Sequence, residues 1–304
     1  MVKDLSIVVC TYNRASLLGE CLHSLSEQSL SRNRFEVLVV DNDSSDDTQR
    51  VTREYCRRFD HFRVVMESAR GHSHARNRGW KEACGRYVAY IDDDCHAESH
   101  WAEKILAAFE DVKPSPTAVG GKILPRYSVP PPAWFSDKLE TRSWGDSRVF
   151  LRPPVDRLGF SGANMAFPRE MLEKMGGFSY RFGIVDGKLR MGEDTEFFMR
   201  LASSGHNRFW YDPEIVVKHW TPTELFFLRP RLSRSYRCGR SHYYLESCGV
   251  SCLDVRLVLS VFYQLLKGVA CLTRPAGERL AFLVQAAERA AHQLGVYAEA
   301  WAAK

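Results

Sequence analysis

Hydrophobic and polar positions in the first hundred residues alternate between two patterns. Short apolar runs rich in β-branched residues predict strands at 5–13, 35–43, 62–68 and 85–94. Apolar residues at helical spacing predict helices at 15–29, 47–59 and 73–83. Strands that alternate with helices in this way predict a mostly parallel sheet with helices on both faces, which is an α/β fold of Rossmann-like type.

The remainder of the chain predicts two further parts. Residues 114–158 contain several prolines and aromatics and indicate an excursion that lies, like a lid, over the ligand-binding crevice at the edge of the sheet. A helix at 191–205 and a strand at 206–220 are predicted to follow it. We therefore expect an α/β domain over 1–222 and a basic helical extension over 223–304.

Composition is that of an ordinary soluble globular protein. Hydrophobic residues make up 45% of the 304 residues and charged residues 26%, which excludes collagen, coiled coil and disorder. Nine scattered cysteines do not form the framework of a disulfide-rich protein. The first residues do not read as a secretory signal, so the expected location is the cytoplasm.

The net charge of +5 originates in the last third of the chain. Residues 218–304 hold twelve Lys/Arg against six Asp/Glu, and the densest stretch, 229–240, has five arginines and no acid. Three interpretations stay open: a solvated face, a homodimer interface, or a peripheral contact with the inner face of the plasma membrane. In the third, a predicted helix at 255–272 lies at the interface together with the arginines. A second amphipathic helix is predicted at 278–302. Nucleic acid is not expected, since no recognised binding module is present.

Acidic residues follow the predicted strands. In an open parallel sheet, ligands bind beyond the carboxyl ends of the strands. The first strand ends in Thr11–Arg14, the second in Asp41–Asp43 and the fourth in Asp92-Asp93-Asp94. Carboxylates grouped around one crevice repel one another unless a cation or a basic ligand lies among them. Three adjacent carboxylates suit a divalent metal ion, and a solvated acidic turn is the alternative.

Three other places carry candidate chemistry. Glu193 and Asp194 open a predicted helix, where an acid serves either as a general base or as a favourable helix-terminal charge. The stretch Gly162-Ala163-Asn164 allows a close approach to a ligand, or forms an ordinary turn. His219 is either a metal ligand or a packed histidine.

The ordered motifs resemble family 2 glycosyltransferases of the GT-A fold over residues 5–220. The motifs are TYNR, VVDNDSSDDT, ARNRGW, YIDDDC, GANMAF, GGF and GEDTEF. The resemblance implies transfer of a sugar from a nucleotide diphosphate donor to an acceptor hydroxyl, with inversion, and a Mn²⁺ or Mg²⁺ cofactor. The QxxRW motif of processive synthases is missing, which favours single addition, to a bacterial surface glycan or a lipid-linked acceptor.

The resemblance also implies roles for individual residues. Positions matching nucleotide-binding residues are Thr11, Tyr12, Arg14, Asp41, Arg76, Asp92 and Asp93. Asp41 matches a residue that binds the base, typically uracil, which favours a UDP-sugar as the donor, with dTDP- and GDP-sugars as alternatives. Asp94 and His219 match metal-binding positions, and Gly162, Ala163 and Asn164 match the stretch beneath donor sugar and acceptor. Asp194 matches the catalytic base, with Glu193 assisting the acceptor.

Two rival functions remain at this stage: a sugar nucleotidyltransferase, and a catalytically silent protein that binds nucleotide-sugars or glycans. The glycosyltransferase interpretation requires that the acids of 92–94 and Asp194 lie on the same side of the molecule. It also requires that no lysine or arginine fills the position of the metal ion.

Overall fold

The computed structural model describes residues 3–151, 159–185, 188–245 and 276–302. The contacts of the chain group into two compact units. The larger unit comprises Met1–Leu124, Arg142–Asp186 and Glu193–His219. The smaller unit comprises Pro125–Thr141, Gly187–Gly192 and Trp220–Lys304. The domain boundary expected near residue 222 stays a prediction.

The strands and helices confirm the predicted α/β fold class. The strands are β1 (Lys3–Thr11), β2 (Phe35–Asp41), β3 (Phe62–Met66), β4 (Gly85–Asp92), β5 (Cys95–Ala97), β6 (Ala118–Arg126), β7 (Val149–Leu151), β8 (Met165–Pro168), β9 (Gly183–Val185), β10 (Lys188–Arg190) and β11 (Phe209–Trp220). The helices are α1 (Ala15–Ser26), α2 (Thr48–Arg58), α3 (His72–Glu82), α4 (Trp101–Asp111), α5 (Arg169–Lys174), α6 (Glu193–Ser203), α7 (Leu228–His242) and α8 (Ala276–Ala302).

The main sheet has the strand order β3-β2-β1-β4-β8-β6-β11-β5, with β7 paired to β11. The four strands predicted from the sequence form its parallel part. The sheet becomes mixed beyond them, because β8 runs antiparallel to both β4 and β6. The central strands are buried on both faces and therefore read as continuous apolar runs rather than alternating ones.

The register of the parallel strands places their polar ends side by side. Thr11 at the end of β1 is level with Asp41 at the end of β2. On the other side of β1, Cys10 is level with Asp92 at the end of β4. The acids that follow separate strands in the sequence therefore lie along one edge of the sheet, as the strand pattern predicted.

The structure differs from the sequence-based elements in the segment 114–158 and in two helices. The segment 114–158 is not a single excursion, because it contains β6 and β7, two strands of the sheet. Helices α4 and α7 were not predicted as elements. The predicted helix at 255–272 lies outside the described residues. Among the helices that are described, none combines the length and apolarity needed to cross a membrane.

In the smaller unit, α7 and α8 pack closely against each other. A Cβ atom on Gly239 of α7 would collide with the backbone oxygen of His292 in α8, so only glycine permits this approach. Arg231 of α7 is fully buried, with Nη1 2.8 Å from Glu140 and Nη2 3.0 Å from Glu288. The arginine-rich stretch 229–240 is therefore partly a structural core element rather than only a charged surface.

Candidate active site

A buried arginine joins the end of β4 to the start of α6. Arg76 of α3 places Nη1 2.5 Å from Oε1 of Glu193 and Nη2 3.5 Å from Oδ1 of Asp92. The two acids are about 100 positions apart in sequence, yet one guanidinium contacts both. The requirement that the acids of the two motifs lie on the same side of the molecule is therefore met.

Asp194, the candidate base, is held by backbone N–H groups. The amide of Gly162 donates to its Oδ2 at 3.0 Å, and the amide of Thr195 donates to its Oδ1 at 2.7 Å. A Cβ atom at position 162 would collide with the guanidinium of Arg76. Gly162 therefore contacts both Arg76 and Asp194, and a larger residue at this position would clash with Arg76.

Charge and burial set the ionisation of this cluster. Burial and the neighbouring Glu193 carboxylate raise the pKa of Asp194 above its ordinary value, although Arg76 opposes them. Burial also disfavours ionised Glu193, but Arg76 and His72 outweigh it and lower the pKa of that carboxyl. The pKa of Asp92 is lowered in the same way, mainly by Arg76. The pKa values of the adjacent carboxyls Glu193 and Asp194 therefore shift in opposite directions, which is typical of acid–base sites.

Sequence reasoning missed His72. Its Nδ1 lies 3.3 Å from Oε1 of Glu193, and despite the opposing effects of burial and Arg76 this carboxylate raises the pKa of the imidazole. No motif in the resemblance includes His72. His72 lies one residue before the predicted helix at 73–83, and only the structure places it at the start of α3, four residues before Arg76 and on the same face.

The acidic triplet is bridged by an arginine. Nη1 of Arg14 lies 3.2 Å from Oδ1 of Asp93 and 2.6 Å from Oδ2 of Asp94. Burial raises the pKa of Asp93 to about 6 even though Arg14 and the hydroxyl of Thr11 favour its ionised form. The sequence interpretation requires that no lysine or arginine fills the position of the metal ion. Arg14 contacts Oδ2 of Asp94, whereas His219 faces the other oxygen, Oδ1.

Asp94 also faces a histidine on its other oxygen. Nε2 of His219 lies 3.3 Å from Oδ1 of Asp94, and Cys95 completes a group whose ligand atoms lie within 4.8 Å of one another. Burial raises the pKa of the Cys95 thiol well above its usual value, so the neutral thiol is a poor ligand for a hard cation. The carboxylate of Asp94 is the donor that Mn²⁺ and Mg²⁺ prefer, and the imidazole of His219 offers a nitrogen ligand beside it. Arg14 contacts the oxygen opposite the histidine.

The residues expected to hold the nucleotide differ in accessibility. Asp41 is fully buried: its Oδ1 accepts from the amide of Ser44 at 3.0 Å, and its Oδ2 has no hydrogen-bond partner among the described residues. An orphaned buried carboxylate oxygen is a fitting acceptor for a donor N–H on a ligand. Tyr12 is exposed, and the guanidinium of Arg70 lies 5.0 Å from the centre of its ring.

Ala163 and Asn164 lie in the protein interior. The Asn164 side chain accepts from Nε1 of Trp101 at 2.9 Å and donates to the carbonyls of Lys122 and Ile215. These bonds tie α4 to two strands of the sheet. The side-chain amide of Asn164 therefore has a structural role. Its hydrogen bonds go to protein groups and do not support the expected contact with a sugar.

Comparison with solved structures identifies the fold. The chain is similar to the mannosyltransferase PcManGT from Pyrobaculum calidifontis in complex with GDP-Man and Mn²⁺. The TM-score is 0.65 at 20% identity, over 99% of this chain and 87% of that one. At this identity the likeness shows the fold, which is of the GT-A type.

Comparison of sequences identifies the family. The profile described as Glycosyl transferase family 2 matches residues 6–176, more than half of the chain, so the chain belongs to that family. It is 26% identical over 216 residues to the glucosyl-dolichyl phosphate glucuronosyltransferase of Haloferax volcanii, covering 70% of this chain and 68% of that protein. It is 32% identical over 100 residues to the glycosyltransferase AglE of the same organism, which is a third of either protein.

Proposed function

We propose that the chain is a metal-dependent inverting glycosyltransferase that moves a sugar from a nucleotide diphosphate donor to an acceptor hydroxyl. The observation that best supports this is the contact of Arg76 with both Asp92 and Glu193. It brings the end of β4, where a donor would bind, next to the start of α6. Asp194 follows Glu193 directly and is the proposed proton acceptor.

A UDP-sugar is the proposed donor. The unsatisfied Oδ2 of Asp41 suits the imide N–H of a uracil ring, and Thr11 lies beside Asp41 in the sheet register. Arg14, half exposed at the same edge, can turn toward a diphosphate. The similar mannosyltransferase structure contains GDP-Man, so the identity of the base is part of the test.

Asp94 and His219 are the residues proposed to hold Mn²⁺ or Mg²⁺. When bound, the ion supplies Lewis-acid stabilisation for the negative charge of the departing nucleoside diphosphate. Arg76 supports the same site by compensating the charge of Asp92 without leaving its buried position.

Asp194 is proposed to accept the proton of the attacking hydroxyl. Its two backbone N–H contacts fix the direction of the carboxylate, and its raised pKa makes it a better base than an ordinary aspartate. Glu193 is engaged by Arg76 and His72 and is better suited to position the acceptor and tune Asp194 than to take up a proton.

A lipid-linked acceptor or a surface glycan is the proposed acceptor class. The name of one relative, a glucosyl-dolichyl phosphate glucuronosyltransferase, denotes a lipid-linked acceptor. A cytoplasmic protein at the inner face of the membrane would meet such an acceptor. The family assignment favours glycosyl transfer over nucleotidyl transfer.

A thermal-shift screen of nucleoside diphosphates, with and without Mn²⁺, tests the donor and the metal together. We expect UDP with Mn²⁺ to give the largest increase in melting temperature, and Asp94→Ala to remove the part that depends on Mn²⁺. Product analysis on the matching nucleotide-sugar then decides the reaction: a released nucleoside diphosphate supports glycosyl transfer, and pyrophosphate contradicts it. A donor that binds but is neither transferred nor hydrolysed would favour a silent binding protein.

A further inference from the structure

An exposed apolar stripe runs along α8. Leu280, Leu283, Leu294 and Trp301 recur at helical spacing on one side of this helix and are 41–65% exposed. The stripe extends over roughly 32 Å, at 1.5 Å per residue. Apolar side chains scattered singly over a surface need no explanation, but an aligned row of this length indicates an interaction surface.

The adjoining face of α7 continues this surface. Leu228, Leu232 and Tyr236 of α7, with Ala291 and Leu294 of α8, line a shallow groove of about 540 Å³. We call this groove and the α8 stripe the apolar platform. Because both helices belong to the smaller unit and pack directly on each other, the platform is one continuous feature of that unit.

The charged side chains that are exposed on α7 have one sign. Arg229 is itself part of the groove lining, and Arg237 lies two turns further along α7. Both are exposed and form no ion pair with a residue in the described ranges. The acids of α8 whose side chains are described are neutralised from α7: Glu288 by Arg231 and Glu299 by Arg240. The surface therefore combines apolar side chains with uncompensated positive charge.

We infer that the apolar platform, with Arg229 and Arg237, binds the surface of an anionic phospholipid bilayer. Leucine and tryptophan side chains on one face with arginines beside them are the combination by which amphipathic helices lie in a membrane interface. The contact that we infer is peripheral, with the apolar side chains of α7 and α8 lying in the interface. A second copy of the chain fits less well, because pairing two such surfaces would bring like charges together.

This inference goes beyond the proposed function and does not depend on it. Binding to a bilayer requires neither the donor nor Asp94 and Asp194, so it is measured without any substrate. Absence of membrane binding would not contradict the proposed sugar transfer. Absence of sugar transfer would not contradict membrane binding.

The test is co-sedimentation of the full chain with two kinds of vesicle, pure phosphatidylcholine and a mixture with phosphatidylglycerol. We expect binding to the mixed vesicles at low salt, and weaker binding at high salt, where surface charges are screened. Leu283→Glu/Leu294→Glu should reduce partitioning at least about tenfold per leucine. Arg229→Glu/Arg237→Glu should reduce it at least about fivefold per arginine.

Two single variants serve as matched controls. Arg289→Glu makes the same charge change on another face of α8, and Val64→Glu replaces an exposed apolar residue of β3 in the larger unit. Both should bind vesicles like the unmodified chain. Unchanged circular dichroism establishes that each variant is folded.

Equal binding by the platform variants and the controls would overturn the inference, as would equal binding to both kinds of vesicle. Analytical ultracentrifugation separates the remaining alternative. The chain could fail to bind vesicles and form dimers that Leu283→Glu/Leu294→Glu dissociates. That result would show that the platform is a self-association surface instead.

Discussion

Arg14 forms an ion pair with Asp94, with Nη1 of the guanidinium 2.6 Å from Oδ2 of the carboxylate. Asp94 is also the residue proposed to hold the metal ion. The pattern of acids at the strand ends required a cation at this edge, and in this structure a side chain of the protein supplies it. Because the Arg14 side chain is 46% exposed, it can turn away without disrupting the core.

The first prediction is that Arg14 competes with the metal ion. Arg14→Ala should tighten the binding of Mn²⁺ in the absence of nucleotide about two- to fivefold, since a half-exposed ion pair contributes up to about 1 kcal/mol. Calorimetric titration with Mn²⁺ measures the change. Arg70→Ala is the control, because it removes an exposed ion pair to Asp43 in the same region. Weaker Mn²⁺ binding in Arg14→Ala would mean that the guanidinium supports the ion instead.

The second prediction separates the chemical role of Asp194 from donor binding. Asp194→Asn keeps the size of the side chain but cannot accept the proton, so transfer should fall about 10²–10⁴-fold while the donor dissociation constant changes little. Transfer rates and calorimetric donor titration measure the two effects. Glu196→Gln, one half-turn further along α6 and paired with Arg200, is the matched control. A parallel loss of donor affinity in Asp194→Asn would assign the residue to binding.

The parallel half of the sheet could be predicted because its signals are local. Continuous apolar runs ending in Thr11, Asp41 and Asp92 determine the strands, and the parallel arrangement then places their ends together. The resemblance placed Arg76 among the site residues, but its pairing with acids of two distant elements could not be predicted. Arg76 pairs with an acid 117 positions away, and in the sequence its helix resembles an ordinary polar helix.

The same limit applies to roles that depend on tertiary packing. Asn164 stands in a stretch typical of a ligand-binding turn, yet its amide joins Trp101 to the sheet. Arg231 belongs to an arginine-rich stretch typical of an exposed surface, yet it is fully buried against Glu140 and Glu288. Residue type and spacing indicate that such groups need partners, but the partners come from distant parts of the chain.

The third prediction concerns the pH dependence of the reaction. The base must be ionised, so activity should be lost as the pH falls through the pKa of Asp194, and the raised pKa places this loss above the range of an ordinary aspartate. Glu193→Gln removes the neighbouring negative charge that helps to raise this pKa. The acid limb of the kcat/KM profile should therefore move to lower pH, whatever the change in maximal rate.

Glu196→Gln is again the control, and its acid limb should coincide with that of the unmodified chain. An acid limb that stays in place in Glu193→Gln, or moves to higher pH, would show that another group governs the profile. The test compares the pH of the acid limb and not the maximal rate. Glu193→Gln also loses the ion pair with Arg76, which lowers the rate for structural reasons.

The fourth prediction tests the contact between Gly162 and Arg76. A methyl group at position 162 collides with the guanidinium, so Gly162→Ala must displace Arg76 from Asp92 and Glu193 or shift the backbone that holds Asp194. We expect a loss of about 1–3 kcal/mol in the free energy of unfolding. Activity should fall about 100-fold, because misplacement of reacting groups by roughly 1 Å has that effect.

Gly19→Ala is the matched control for this substitution. Gly19 lies within α1, and its added methyl group would meet only a side-chain atom of Val51 at 3.7 Å, an ordinary contact. Alanine in a helix interior should raise the free energy of unfolding by about 0.5–1 kcal/mol. Urea denaturation and donor hydrolysis measure both variants. If Gly162→Ala were as stable and as active as Gly19→Ala, the position of Arg76 would not matter to the site, and the link from β4 to α6 would lose its role in the mechanism.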